Sequence, residues 1–207
     1  MAINSFRYQI DYLKEKYKVI AVDSRCQGRT SCNKTKLSYV QMADDMNLLL
    51  DSLQINNASV LGWSDGGNTG ILMAMKYKNR IKKLIVMGAV LNPTENAIKS
   101  EIIESFKKNV KQAKVVGLFN KQVRNYAQIS SMCLKHPNIN PEELNSVEIP
   151  VLVLAGENDV VLESHTRLIA DNLKYSELHI LSGLTHDAPI ENPVVFNEIV
   201  DSFLERN

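Results

Sequence analysis

The stretch ASVLGWSDGG, residues 58–67, decides the fold of this chain. Its first part, 58–62, is a β-rich run that predicts a strand, and a helix is predicted to begin near Asp65. Residues 62–66 form a G-x-S-x-G pattern in the strand-to-helix context that a nucleophilic serine requires. The glycines Gly62 and Gly66 are expected to let strand, turn and helix approach closely, which holds Ser64 exposed on a strained turn.

The helix that follows Ser64 directs its free N–H groups and the positive end of its dipole toward the site. The backbone N–H of Asp65 is therefore predicted to be an oxyanion-hole donor. The side chains of Trp63 and Asp65 are candidates for the substrate pocket. A carboxylate at Asp65 suits a substrate with a cationic amine, such as an amino-acid ester; the alternative is that Asp65 only caps the helix.

A serine hydroxyl needs a base within hydrogen-bond reach, and the base needs a carboxylate that orients it. His186 lies in a loop between the β-rich run 176–182 and the closing helical segment, and is the predicted base. Asp159 follows the buried apolar run 149–156 and is the predicted acid. Weaker candidates for the acid are Glu157 and Asp187. Surface or core packing is expected for the other histidines, which are His136, His165 and His179.

The remainder of the chain indicates an α/β fold with one domain over 1–207. Segments of helical period alternate with the β-rich runs 17–22, 58–62, 81–88, 149–156 and 176–182. Residues 38–55 predict an amphipathic helix capped by Ser38, with one face formed by Val40, Ala43, Met46, Leu50 and Leu53.

Residues from about 92 to 146 contain many lysines and no convincing strand, and predict a helical lid insertion. The lysine-rich face of these helices is expected to be solvated. A pocket beneath the lid would bury its apolar residues, which are Ile98, Ile102, Phe106, Val116, Phe119 and Met132.

From about Phe6 to the C-terminus these motifs resemble the α/β-hydrolase superfamily, and LGWSDGG is similar to valacyclovir-hydrolase-like and related small-ester hydrolases. The resemblance implies the α/β-hydrolase fold, a mostly parallel sheet flanked by helices, and the catalytic order Ser64, Asp159, His186. The segment YKVIAVDSRCQGRTS also resembles a strand-plus-loop motif of the superfamily. There the equivalents of Asp23 and Arg25 are usually structural, and a glycine is typical where Cys26 stands.

The chain departs from the superfamily at its start, because three strands and a His-Gly loop normally precede the helix predicted near Ser5. This departure predicts an N-terminally truncated form. That loop normally supplies the second oxyanion donor, whose loss costs roughly 2.7–4 kcal/mol of transition-state stabilisation. A missing strand between 17–22 and 58–62 would leave a gap or force the two together, and exposed sheet edges favour self-association.

The leading hypothesis is a serine hydrolase that cleaves a small ester, thioester or amide through an acyl-enzyme, with no metal or organic cofactor. A second hypothesis keeps the same three residues for carbon–carbon bond hydrolysis or perhydrolysis. A third is a weak or inactive fragment, or a binding protein in which the serine turn survives only as structure.

Composition favours a small-molecule substrate over nucleic acid or membrane partners. The 24 basic and 23 acidic residues nearly cancel and are interspersed. No apolar run approaches the ~18 residues of a membrane span, and the start shows no signal-peptide pattern, so a cytoplasmic location is expected, with an upstream signal as the alternative. The spacing of Cys26, Cys32 and Cys133 predicts thiols rather than a disulfide framework or a zinc site.

Overall fold

The computed structural model of the protein describes residues 2–32, 36–113, 117 and 119–206. In these ranges four parallel strands form one sheet in the order β1-β2-β3-β4. The strands are β1 Ala58–Trp63, β2 Ile81–Met87, β3 Val151–Gly156 and β4 Ser176–Leu181. Four of the five predicted strands and the parallel α/β class are therefore confirmed.

The predicted strand at 17–22 is wrong, because this segment has no regular structure. A strand needs a neighbour for its backbone hydrogen bonds, and no strand of the described ranges lies on the outer side of β1. Val19 and Ile20 are each more than a third exposed. Segment 17–22 does not pair with β1, which is an edge strand among the described residues.

The helices surround the sheet on both faces. They are α1 Ala2–Ser5, α2 Arg7–Leu13, α3 Tyr39–Ser52, α4 Asp65–Lys76, α5 Ser100–Gln112, α6 Lys121–Cys133, a 3₁₀ helix Pro141–Ser146, α7 Glu163–Asn172, α8 Ala188–Glu191 and α9 Pro193–Glu205. None of the helices within the described ranges is long and apolar enough to cross a bilayer.

The central strands β2 and β3 are buried on both faces, because successive side chains point to opposite sides of the sheet and helices cover each side. In β2, Leu84 and Val86 pack in a core with α3, α4 and α7, whereas Ile85 and Met87 pack in a second core with α2, α8 and α9. All four side chains have 0% exposure. Because β2 and β3 are buried on both faces of the sheet, their sequences consist largely of consecutive apolar residues.

Helix α3 begins as predicted, with the Ser38 hydroxyl accepting a hydrogen bond from the Gln41 N–H. Its buried face is displaced from the predicted one. Val40 and Leu53 are 47% and 45% exposed, and residues adjacent to the predicted stripe, Tyr39 and Met42, are buried with Ala43 and Leu50. The face is set by contact with α4, which the local pattern could not specify.

The predicted lid region contains α5, α6 and the 3₁₀ helix, and its described residues include no strand, as predicted. The apolar residues of this region differ in solvent exposure. Ile98 and Met132 are buried, Ile102 and Phe106 are partly buried, and Phe119 is 92% exposed. Val116 lies outside the described residues. A cleft of about 410 Å³ runs along α5 and α6 and contains none of the predicted catalytic residues.

The prediction of three thiols is wrong for two cysteines, since Cys26 and Cys32 form a disulfide. Their loop folds back through turns in which the Gln27 N–H bonds the Ser24 carbonyl and the Thr30 N–H bonds the Gln27 carbonyl. Spacing patterns cannot show this local reversal. Cys133 is a buried free thiol, as expected.

Candidate active site

Ser64 lies between the end of β1 and the start of α4, with φ of 55° and ψ of −114°. A positive φ is strained for a residue with a side chain and costs ~1–3 kcal/mol. The turn is held by two bonds: the Ser64 N–H donates to the Met87 carbonyl at 2.7 Å, and the Asn68 N–H donates to the Ser64 carbonyl at 3.1 Å. The expected strained turn is therefore present.

Close approach in this turn depends on Gly62, because a Cβ there would overlap the backbone carbonyl of Gly66. The same expectation for Gly66 is wrong. A Cβ on Gly66 would meet no described atom within 4 Å, since this glycine presents its backbone, and not its α-carbon hydrogen, to the strand.

The predicted acid and base are in contact. Nδ1 of His186 lies 2.7 Å from Oδ1 of Asp159, and the Asp159 side chain is 1% exposed. The same Oδ1 accepts the Val161 N–H at 2.9 Å, which fixes the carboxylate in its loop. Because a carboxylate only accepts, Nδ1 carries the proton and Nε2 is left as the basic nitrogen.

Neither weaker acid candidate contacts the base, and one of them supports its loop. Oε2 of Glu157 accepts the Gly183 N–H at 2.7 Å and the Ser182 hydroxyl at 3.0 Å. These bonds tie the loop that contains Asp159 to the loop that contains the histidine. Both bonds lower the pKa of Glu157, and the bond from the Gly183 N–H has the larger effect.

Two further residues that sequence reasoning missed shape the histidine loop. The Glu191 carboxylate accepts both the backbone N–H and the hydroxyl of Thr185, at 2.8 and 2.7 Å. Gly88, at the end of β2 with φ of +60°, makes room for the imidazole, because a Cβ there would lie 2.5 Å from Cε1 of His186. The sequence signal that could have identified this position is the glycine that directly follows the buried apolar run of β2.

Ser64 and His186 are brought to the same carboxyl edge of the sheet. Ser64 bonds to the last residue of β2, and the next residue, Gly88, contacts the imidazole. No hydrogen bond from the Ser64 hydroxyl to His186 is present in the described part of the chain, a separation that is common before substrate binds.

The Asp65 backbone N–H lies in the first turn of α4, where N–H groups have no intrahelical partner. The Asp65 carboxylate does not cap its own helix through any bond among the described residues. Instead it accepts the Tyr39 hydroxyl at 2.5 Å and the Cys133 thiol at 3.5 Å on Oδ1, and the Gln27 amide at 3.2 Å on Oδ2. A carboxylate has about four acceptor positions, so capacity for one more donor is left on Oδ2.

The surroundings of Asp65 weaken its ionisation and that of its neighbours. Burial raises the pKa of Asp65, although the bonds from Tyr39, Cys133 and Gln27 oppose the shift. Burial, and then the charge of Asp65, raises the pKa of both Tyr39 and Cys133. The phenol and the thiol therefore stay protonated as donors.

Trp63, the last residue of β1, lies beside the acid–base pair. Its ring centroid lies 6.0 Å from that of His186 and 6.0 Å from that of Phe6. The indole Nε1 is buried and has no hydrogen-bond partner in the described ranges.

The other histidines lie away from the acid–base pair, as expected. His165 is 4% exposed and accepts the Leu91 N–H on Nε2 at 3.0 Å. His179 lies in β4, where Nε2 contacts the Glu177 carboxylate at 2.7 Å. His136 follows α6 and precedes a cis peptide bond to Pro137.

Comparison with known proteins bears on the family and the fold of the chain. The profile of a family described as "alpha/beta hydrolase fold" matches residues 2–112. A 3-oxoadipate enol-lactonase 2 of Acinetobacter baylyi is 26% identical, over 99% of this chain and 85% of the lactonase. Serine hydrolase BPHL of Mus musculus is 26% identical, over 93% of this chain and 71% of BPHL.

Among solved structures, the α/β hydrolase MGS-M2 from a Medee basin deep-sea metagenome library superposes with a TM-score of 0.87 at 17% identity. The superposition covers 100% of this chain and 86% of MGS-M2. At that identity the likeness shows a shared fold.

Proposed function

Because the chain belongs to the alpha/beta hydrolase fold family, we propose that it is a serine hydrolase that cleaves a small ester, thioester or amide through an acyl-enzyme intermediate. Its relatives include a lactonase and a serine hydrolase, which supports hydrolysis in general. The contact between His186 Nδ1 and Asp159 Oδ1 carries the narrower proposal, since it leaves a basic nitrogen at the serine's edge of the sheet.

In the proposed reaction Ser64 Oγ attacks the substrate carbonyl while His186 Nε2 takes its proton. The imidazolium that forms is stabilised by the Asp159 carboxylate and returns the proton to the leaving group. Water then attacks the acyl-enzyme with the same histidine as base, which releases the acid and restores Ser64. Each step conserves protons without any further titratable group.

Negative charge on the substrate oxygen is proposed to be stabilised by the backbone N–H of Asp65. This N–H lies at the positive end of α4, directly after the strained serine, so the donor is oriented before substrate arrives. A single donor of this kind contributes roughly 2.7–4 kcal/mol to transition-state stabilisation.

Trp63 and Asp65 are proposed to border the substrate. The indole lies beside the His186 ring, and the remaining acceptor position on Asp65 Oδ2 suits the ammonium of an amino-acid ester. The neutral donors around Asp65 leave its charge without a contacting lysine or arginine in the described ranges. The ammonium of a cationic substrate would supply the positive partner for this carboxylate.

Covalent labelling with a fluorophosphonate probe tests the proposal. The parent protein is expected to be labelled, and Ser64→Ala is expected not to be labelled. Ser59→Ala, an exposed serine in the same strand, is the matched control and should be labelled like the parent. Absence of labelling in a parent sample shown to be folded by circular dichroism would favour an inert protein. Product analysis with ester and carbon–carbon substrates separates the two reactions that the same triad supports.

A further inference from the structure

The Asp65 carboxylate joins the serine turn to three other parts of the chain. Tyr39 is the first residue of α3, and Cys133 is the last residue of the lid helix α6. Gln27 lies in the loop closed by the Cys26–Cys32 disulfide. Their side chains all donate to Asp65, the residue that immediately follows Ser64.

The shortest of these bonds comes from Tyr39, at 2.5 Å. The Tyr39 side chain is 2% exposed and packs with Met42, Leu37 and Met132, so its ring is held on all sides. The residue before it, Ser38, caps α3, which fixes the backbone from which the phenol projects. The hydroxyl is therefore presented to Asp65 by a rigid support.

The start of α4 lacks the usual support of a capping side chain. Ser64 occupies the cap position, but its hydroxyl makes no capping bond. The Asp65 N–H has no intrahelical partner either. The peptide unit that contains this N–H is held at its carbonyl by the Asn68 N–H, and the Asp65 side chain adds a second restraint, one residue from the strained φ of the serine.

We propose that Tyr39 is a positioning residue: its hydroxyl holds the Asp65 carboxylate and thereby fixes the backbone N–H that faces the substrate oxyanion. The kinetic part of this inference rests on the proposed function. An oxyanion donor works by being oriented before charge develops, so freedom at Asp65 lowers transition-state stabilisation more than substrate binding.

A purely structural role, joining α3 to α4, makes a different prediction, and the chain offers a matched control. At the far end of the same helix pair the hydroxyl of Tyr77 donates to Asp44 Oδ1 at 2.7 Å. Tyr77→Phe removes a tyrosine–aspartate bond between α3 and the residue that follows α4, away from the serine turn. Tyr39→Phe removes the bond to Asp65, together with the longer contact of the hydroxyl with the Cys133 Sγ at 3.5 Å, and keeps the buried ring.

Hydrogen exchange measured by mass spectrometry on the peptide that covers 62–68 tests the positioning role without requiring activity. In Tyr39→Phe we expect exchange to accelerate by about 5- to 10-fold, the factor that corresponds to loss of one hydrogen bond. In Tyr77→Phe this peptide should exchange as in the parent. Unchanged exchange in Tyr39→Phe, or equal acceleration in both variants, would overturn the proposal.

Kinetics with a neutral ester provide a second readout. Tyr39→Phe should lower kcat by about 5- to 20-fold with little change in KM, and weaken binding of a trifluoromethyl ketone by a similar factor. A rise in KM alone, with inhibitor affinity retained, would contradict positioning of the oxyanion donor. If the parent is not labelled by the fluorophosphonate, the proposed function fails, whereas the exchange result still decides whether Tyr39 fixes the turn.

Discussion

Nδ1 of His186 donates to Oδ1 of Asp159 across 2.7 Å, from a loop after β4 to a loop after β3. The second oxygen, Oδ2, is buried and has no partner in the described part of the chain. The carboxylate therefore directs its charge at the imidazole, with only the Val161 N–H sharing it. This arrangement selects the tautomer that leaves Nε2 basic.

Asp159→Asn is expected to lower kcat by about 10⁴-fold with little change in KM, because the amide permits the wrong histidine tautomer. Steady-state hydrolysis of a neutral ester measures the effect. Asp187→Asn is the control, since this carboxylate adjoins His186 in sequence but makes no contact with its ring among the described residues; it should retain most of the activity. Equal losses in the two variants would refute the role of Asp159.

Gly88→Ala is expected to displace the base. The new Cβ would lie 2.5 Å from Cε1 of His186, and a displacement of about 1 Å can cost roughly 10²-fold in rate. Gly183→Ala separates this effect from backbone strain, since its φ of +72° is also positive but its Cβ would meet nothing within 4 Å. Activity and thermal unfolding are measured for both. If Gly183→Ala loses as much activity, strain and not displacement is responsible.

Asp65→Asn is expected to lower kcat/KM for an aminoacyl ester far more than for the matching neutral ester. The amide keeps the size of the side chain but removes the charge that would pair with a substrate ammonium. The ratio of the two kcat/KM values is the measurement, so any general loss from a disturbed turn cancels. Equal losses would remove amine recognition from the proposal.

The buried His165 predicts lower stability in mild acid. Burial lowers its pKa, and Nε2 accepts the Leu91 N–H, so the native state holds it neutral. Below its unfolded pKa of about 6.5 the unfolded chain binds a proton that the native state does not, and stability falls with a slope of up to ~1.4 kcal/mol per pH unit.

Urea unfolding between pH 7 and 5 checks this slope. His165→Leu should be less stable than the parent at pH 7, by ~1–3 kcal/mol, because the Leu91 N–H loses its acceptor. Its stability should depend less on pH than that of the parent. The same slope in both proteins would show that other groups cause the acid sensitivity.

The open edge of β1 predicts self-association. No strand of the described ranges pairs with its outer side, and β1 itself has no charged residue to discourage pairing. We expect a sedimentation coefficient that rises with concentration, and a smaller rise for Ser59→Lys. Ser52→Lys, an exposed change on α3, should behave as the parent does. A parent that stays monomeric at all concentrations would contradict the expectation.

The local sequence determined the parts of this protein that depend on neighbours along the chain. Apolar runs specified the central strands β2 and β3 because both are buried on the two faces of the sheet, and Gly62 signalled the tight turn because only glycine leaves space for the Gly66 carbonyl. Ser64, Asp159 and His186 follow the ends of β1, β3 and β4, in the order that the sequence predicted. Parallel strands place their carboxyl ends at one edge, so residues distant in sequence meet there.

Tertiary structure alone decided the features that depend on a distant partner. Residues 17–22 have strand-like composition but no neighbour to pair with, and α3 turns Tyr39 inward because α4 lies against that face. The environment of Asp65 is assembled from three separate segments, so no local pattern could show whether its carboxylate caps a helix or joins those segments. Side-chain contacts across the fold have no period in the sequence, and they determine how this serine turn is supported.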